Sequence, residues 1–361
     1  MESRPVIKSA LSIWSSANGA QVFIGSPYKS ICLPSHWFGI STRLLLESFT
    51  GRLSLAQIGQ QCALTASQLQ ALIDELQTHD LIDLERTAIS YLKRYDPKAK
   101  AITPVADLEE FNEDLAAQSF IKRMEIESEA ASLASGDIDG GRRSVVARRD
   151  FSILIFGYGR IVNSLVGALS ASGFTKVLII NRLLQKSAAL KILESDLSGG
   201  NISRGDIGQS RKEVLTRARS SSALFAEPTP VISRPKLIIS VGPPKADEMQ
   251  RWISEGSNHL IIEPHSSAEV RIGPYVIPGK SPCYHCLQIS NQEQISSIER
   301  KEVGSALALG CAAIACLEVI NLASSGLSHF LGKSMIYSNS NFHNPKIENW
   351  SINPGCGCSW R

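Results

Sequence analysis

The chain has almost no excess charge of either sign: over 361 residues, Lys and Arg exceed Asp and Glu by three. A net charge of +3 is too small to hold a polyanion, so nucleic acid is not an expected partner. The opening MESRPVIKSALSIWSS lacks the apolar stretch of a secretory signal. No run is read as reaching the roughly 18 apolar residues of a membrane-spanning helix. Cysteine is also scarce, at eight residues, which is too few for a disulfide framework. These absences predict a cytoplasmic protein without a membrane. What remains is 43% hydrophobic and 20% charged, an ordinary globular composition, and the length predicts two domains.

The few cysteines are unevenly placed. Cys32, Cys62, Cys311 and Cys316 lie among apolar neighbours and are expected in the core. Cys283 and Cys286 form a Cys-x-x-Cys pair, and Cys356 and Cys358 a Cys-x-Cys pair some seventy residues later. Four thiolates match tetrahedral zinc, and a shell closed by sulfur leaves no position for substrate. The spacing predicts a structural zinc that ties the 350s to the 280s.

Residues 20–35 predict two short strands around the turn at Gly25–Pro27, with Val22–Ile24 as an edge strand. A helix capped by Ser41 or Thr42 follows and stops near Gly51. Two further helices come next. In the second, Leu69, Leu72, Ile73 and Leu76 stand at i, i+3, i+4 and i+7. LIDLERTAISYLK then predicts two strands around a turn. Together these give a winged helix-turn-helix within residues 1–95. Its third helix, 66–79, carries Asp74 and Glu75 and no Lys or Arg, a face that repels phosphate. Strand addition by a peptide suits it better. Residues 96–150 predict a helical linker, ending in Arg142, Arg143, Arg148 and Arg149 as a solvated charge run.

From residue 151 the pattern changes. A buried strand over 152–156 runs into Gly157-Tyr158-Gly159, then a helix with Ile161, Leu165 and Leu169 on one face, then a second strand over 176–180. Glycines here let backbone amides approach a phosphate at a helix N-terminus, although Val162 stands where a third glycine is usual. KLIISVG and HLIIEP add two buried strands. The expected fold is therefore α/β: a winged helix-turn-helix (1–95), a helical linker (96–150), and a Rossmann-like domain (151–361) with structural zinc.

GPYVIPGKSPCYHC together with the late CGC resembles the zinc end of ThiF-like, ubiquitin-activating-type proteins that mature ribosomally made peptides. That group includes microcin C- and pantocin A-type enzymes and the partner proteins of azole-forming cyclodehydratases. The resemblance implies an N-terminal peptide clamp (a RiPP recognition element), a homodimer and an adenylating site for ATP. On that reading Gly157 and Gly159 approach the phosphates, and Asn181 replaces the ribose-binding Asp. Asn201 and Arg204 match an Asn-Leu-x-Arg element, and Gln209 and Arg211 stand where lysines are expected. Arg204 and Arg211 are the implied catalytic cations. Gly242 occupies the place of the magnesium-binding Asp, with Asp247 the next carboxylate along, so the magnesium requirement is in question. Two functions stay open: ATP-dependent ring-forming dehydration of a precursor peptide by this chain, or a non-catalytic scaffold delivering the peptide to a YcaO-type cyclodehydratase. A sulfur-carrier activator would need an intact adenylation site, and a nicotinamide oxidoreductase a complete glycine motif.

Overall fold

A computed structural model of the chain describes residues 3–8, 11–26, 29–51, 53–85, 120, 122–132, 141–180, 190–225, 232–291 and 302–358. They fall into two compact units, Met1–Val146 and Ala147–Arg361.

In the first unit, β1 (Arg4–Ile7) precedes β2 (Ser12–Ser15), β3 (Gln21–Ser26) and β4 (Lys29–Pro34). β2, β3 and β4 form an antiparallel sheet in that order. Two-residue strands β5 (His36–Trp37) and β6 (Ile40–Ser41) lead to α1 (Thr42–Glu47), α2 (Leu55–Gln61) and α3 (Ala66–Thr78). The starts of α2 and α3 are written in sequence. Ser54 and Thr65 each accept from the backbone N–H three residues on, and Gln57 and Gln68 reach back to the cap N–H. The i, i+3, i+4, i+7 set of α3 packs inward as its period requires, with Leu69, Leu72, Ile73 and Leu76 all buried against Val22, Ile24 and Leu33. Truncating Leu72 to Ala should cost about 2–5 kcal/mol.

Three expectations change here. β3 pairs on both sides, Ile24 facing Ile13 and Ile31, so Val22–Ile24 is central and not an edge. Among the described residues the sheet edges are β2 and β4. β7 (Ile82–Glu85) pairs antiparallel with β1, a strand the sequence reading did not draw. The second strand drawn after Ile82 lies outside the described residues. Cys32 is exposed rather than in the core, because β4 turns Ile31 and Leu33 away from it and sets it across from Phe23, whose ring stacks on Trp14 at 5.7 Å.

Within the linker, residues 122–132 form a helix, α4, with Met124 and Ala131 buried. α5 (Arg142–Ala147) follows. Of the four arginines there, Arg143 is solvated as expected, 79% exposed and 3.6 Å from Asp80, but the other three are not. Arg142 pairs with Asp83 at 2.5 Å, while Arg148 is buried and donates to the Ser172 carbonyl at 2.9 Å. Arg149 is buried with its guanidinium 4.7 Å over the Phe225 ring.

The second unit is built on one seven-stranded sheet. β8 (Ile153–Phe156), α6 (Arg160–Ala171), β9 (Val177–Ile180), α7 (Arg211–Ser222), β10 (Leu237–Val241), α8 (Ala246–Ser254) and β11 (His259–Ser266) make its parallel half. β12 (Glu269–Val276), β13 (Lys333–Ser338) and β14 (Lys346–Asn349) extend it antiparallel. The order is β14-β13-β12-β11-β10-β8-β9, so strand order reverses beside β8. α9 (Tyr284–Asn291) and α10 (Ser305–Ser325) complete the unit. Ile161, Leu165 and Leu169 of α6 pack with Leu307, Cys311 and Val319 of α10 over Ile155, Ile239 and Ile262. Val162 is fully buried in the same core, so a side chain, not a third glycine, fills this helix–sheet contact.

α10 also corrects the reading of apolar runs. Its 21 residues are long and apolar enough to cross a membrane by length and composition, and half of that window is buried inside the unit.

Candidate functional site

Two sites rise from this sheet. The first is where four sulfurs meet. Cys283 precedes α9 and Cys286 lies in its first turn, while Cys356 ends a 3₁₀ turn over Pro354–Cys356 that is capped by Asn353. Gly357 then takes a left-handed conformation, which brings Cys358 round to the same point. The Sγ–Sγ distances are 3.8 Å for Cys283–Cys286, 3.4 Å for Cys283–Cys356 and 3.5 Å for Cys286–Cys358. All four sulfurs lie within 4.8 Å of one another. A tetrahedron with metal–sulfur bonds of ~2.3 Å has edges of about 3.8 Å, so the spacing fits one ion in a closed four-sulfur shell.

Neighbouring groups suit thiolates. The Asn353 N–H donates to Cys286 Sγ at 3.4 Å, and His285 Nδ1 lies 3.3 Å from Cys356 Sγ. Burial pushes the Cys283 thiol far up, and Cys358 up to about 11, so a cation is what would stabilise the deprotonated set. The four sequence-selected cysteines are thus brought together and could hold a metal ion.

The second site is the crevice at the carboxyl ends of β8 and β10, where the strand order reverses. Gly157 has φ +134°, and a Cβ there would lie 2.6 Å from the Val241 carbonyl, so only glycine lets β8 end this close to β10. Gly159 is the N-cap of α6. A helix start at the end of a parallel strand is where an anion site is commonly built.

The other expected residues are scattered. Asn181 lies outside the described residues. Asn201 packs against α6 at Gly167, where an added Cβ would come within 1.6 Å of its Nδ2. Arg204 is exposed in a 3₁₀ turn, and Gln209 is exposed with its amide donating to the Gly205 carbonyl at 2.7 Å. Arg211 is buried. It donates to both oxygens of Asp196, at 3.0 and 2.6 Å, and to the Lys191 carbonyl at 2.8 Å. Its guanidinium also lies 5.5 Å from the Tyr158 ring, between the two glycines.

A pattern not read in the sequence governs this region. Asp196 and Asp206 each close a short 3₁₀ turn by accepting a backbone N–H, from Leu193 and Ser203, both at 2.8 Å. Each then meets an arginine of α7: Asp196 meets Arg211, and Asp206 meets Arg217. Two aspartates ten residues apart, ahead of a helix that carries arginines at 211 and 217, were the available signal. Asp206 is held below the usual carboxylate range by the Ser203 N–H first and Arg217 second.

Gly242 has φ +97° with nothing within 4 Å of a Cβ, so an aspartate there would fit the space but strain the backbone. Asp247 is exposed in the first turn of α8. A cation the sequence reading passed over is Arg160, directly after Gly159. It donates to the Val303 carbonyl at 2.9 Å, and its Nε is buried without a hydrogen-bond partner among the described residues. An arginine adjoining a Gly-x-Gly turn was the signal for it.

No family model matches the chain, and no curated protein matches it either. Solved structures do. E. coli MccB with MccA-N7isoASN superposes with a TM-score of 0.52 at 12% identity, covering the whole of both chains. MccB of microcin C7 biosynthesis, in complex with N-formylated MccA, gives 0.51 at 13% identity over 98% of this chain and 99% of that one. PaaA gives 0.56 at 14% identity over 95% and 99%. At such identities the likeness is one of fold, and it runs the length of the chain.

Proposed function

We propose that this protein takes part in the maturation of a ribosomally made peptide. The first unit captures the leader of the precursor, and the second activates the core with ATP and promotes a ring-forming dehydration. The observation that carries this reading is the likeness of fold over the whole chain to MccB, a protein solved with ATP and with the peptide MccA. Under this reading the four cysteines hold a structural zinc, and the chain works in the cytoplasm, where free thiols persist.

Leader capture is placed on an edge of the sheet of the first unit, in a winged-helix setting. β4 is the better edge: it runs on to Trp37, whose indole N–H donates to the Gln68 carbonyl of α3 at 3.0 Å, so helix and edge adjoin. Hydrogen exchange on the full chain with precursor peptide should protect β4 amides and leave those of β2 unchanged. Protection elsewhere only would sink this placement.

Activation is assigned to the crevice, with exposed Arg204 as the cation able to turn to phosphate and Gly157 and Gly159 offering backbone. Arg160 would have to exchange its bond to the Val303 carbonyl for one to phosphate, and Asn181 and Asn201 keep only the roles that the resemblance implies. A homodimer is part of the reading. Leu309, Ala313 and Leu317 form an exposed apolar line on α10, and Leu317→Glu should shift the sedimentation of the protein toward monomer. The deciding experiment incubates the purified protein with its precursor peptide and ATP and reads the peptide mass. Loss of about one water per ring without another protein supports catalysis by this chain.

A second reading has its own observation. Gly242 supplies no carboxylate, and Arg211 already has an internal partner. A scaffold that delivers the peptide to a YcaO-type cyclodehydratase needs neither. Modification that appears only when such an enzyme is added would select it.

A further inference from the structure

β11 ends in a β-bulge. Pro264 pairs with Val270 and Ser266 with Glu269, which leaves His265 as the extra residue. Bulges re-aim a side chain and occur often beside active sites. Here the imidazole turns between two carboxylates: Nδ1 is 3.2 Å from Glu269 Oε1, and Nε2 is 3.7 Å from Glu263 Oε2. The side chain is 26% exposed, so it is fixed by neighbours yet open to solvent on one side.

The carboxylates have unequal freedom. Glu263 is mostly buried, accepts the Tyr284 hydroxyl at 2.8 Å and faces Arg271 at 3.3 Å. Arg271 in turn faces Glu348 of β14 at 3.4 Å. Burial works to raise the Glu263 carboxyl, but the hydrogen bonds from His265 and Tyr284 and the charge of Arg271 hold it below its usual range. Glu263 is therefore a fixed negative charge. His265 is raised above its usual value, by the Glu263 contact first, against burial and the repulsion of Arg271. An imidazole raised from its ordinary value by carboxylate neighbours is a stronger base than a free one.

The place also matters. The Gly242 N–H donates to the Ile262 carbonyl at 2.8 Å, so the carboxyl end of β11 borders the crevice. His265 lies three residues further along, roughly 10 Å at strand rise.

We propose that His265 is the general base of the second unit, taking the proton from the core-peptide nitrogen that closes the ring. The inference rests on the maturation reading. In the step, the nitrogen attacks a carboxyl carbon activated by a nucleoside triphosphate. The C–N bond forms, the C–O bond to the nucleotide breaks and carries the carboxyl oxygen away, and the N–H proton passes to the imidazole and on to solvent. Glu263 and Glu269 are positioning residues that hold the ring and favour its protonated form.

The test uses the full chain with precursor peptide and ATP. It reads ring formation by mass, carboxyl activation by pyrophosphate exchange, and both across pH. His265→Gln should lower ring formation by about 10²-fold or more, leave exchange at the parental level and abolish the acid limb of the pH profile. Glu269→Gln should shift that limb to lower pH, since removing a negative neighbour makes the imidazolium less favourable. Unchanged melting and metal content show that the variants fold. Ring formation by His265→Gln at the parental rate, or equal loss of exchange and ring formation, overturns the inference while the maturation reading stands. If the parental protein neither exchanges pyrophosphate nor alters the peptide, alone or with a partner enzyme, both fall.

Discussion

The cysteine cluster and the glycine turn belong to the same unit and the same sheet, but their side chains are differently engaged. At the cluster, four sulfurs converge mainly on each other, with one backbone N–H and one imidazole beside them. At the turn, the arginine expected on phosphate is buried in a bidentate pair with Asp196 and stacked by Tyr158. A group that contributes nothing to folding until a ligand arrives announces its purpose by position. A charge inside a fold must first be neutralised by the fold, and its role toward a ligand is then shared with a structural one.

The largest test of that contrast removes the thiols. Cys356→Ser with Cys358→Ser should take bound zinc from one per chain to none and destabilise the second unit by ~5 kcal/mol or more, since apparent structural zinc affinities of about 10–16 kcal/mol become folding free energy. Native mass spectrometry and denaturant unfolding read both effects. An unchanged unfolding curve would mean that the sulfurs hold nothing structural.

Next is Arg211→Ala. It leaves Asp196, a fully buried carboxylate, without its counter-charge and should cost about 3–5 kcal/mol. Replacing both partners, with Asp196→Leu and Arg211→Met, should recover much of that loss. If Arg211→Ala melts like the parent, the pair is not structural and Arg211 returns as a phosphate ligand.

Burial alone can be measured at the start of β11. His259 is fully buried against Trp252, its Nδ1 near the Ser257 carbonyl at 2.9 Å and its Nε2 without a hydrogen-bond partner among the described residues. Burial lowers its pKa from 6.5 to about 4. The unfolded chain then binds a proton between those values that the folded one does not, so stability falls as pH drops through that window. The drop from pH 7 to pH 4 amounts to about 3 kcal/mol. His259→Phe should flatten the slope of unfolding free energy against pH, and an unflattened slope would place the titrating group elsewhere.

The smallest effect is expected at the second Asp–Arg pair. Arg217 is 55% exposed, and Asp206 keeps its Ser203 contacts without it, so Arg217→Ala should cost about 1 kcal/mol or less. Because the folded carboxyl of Asp206 sits below its unfolded value, its contribution is present above about pH 4 and is lost as pH falls through the folded value. Asp206→Asn should therefore weaken the protein at pH 7 more than in acid. A cost at Arg217 equal to that at Arg211 would erase the distinction between buried and exposed pairs.

Sequence showed whatever repeats at a structural period or at a ligand spacing. The α3 stripe of Leu69, Leu72, Ile73 and Leu76, the Ile161–Leu165–Leu169 face and the four cysteines were all legible for that reason. What depends on distant partners was not. Val22–Ile24 alternates identically at an edge or a centre, and only the pairing with β2 decides which. Arg211 reads as a phosphate ligand until Asp196, fifteen residues earlier, is seen to occupy it. The left-handed conformation of Gly242 explains an absent carboxylate that sequence could only record.

The pairing of β1 with β7 has a kinetic side. Arg4 meets Glu85 and Ile7 meets Ile82, while the three-stranded sheet between them closes over short separations. Joining ends so far apart carries a loop-closure entropy that only the intervening core can offset. The two-stranded ribbon is therefore expected to assemble late and open early, which faster hydrogen exchange at the β1 and β7 amides than in α3 would check. A chain stretched or nicked at residues 4–7 would lose that ribbon while α3 still sat on its sheet.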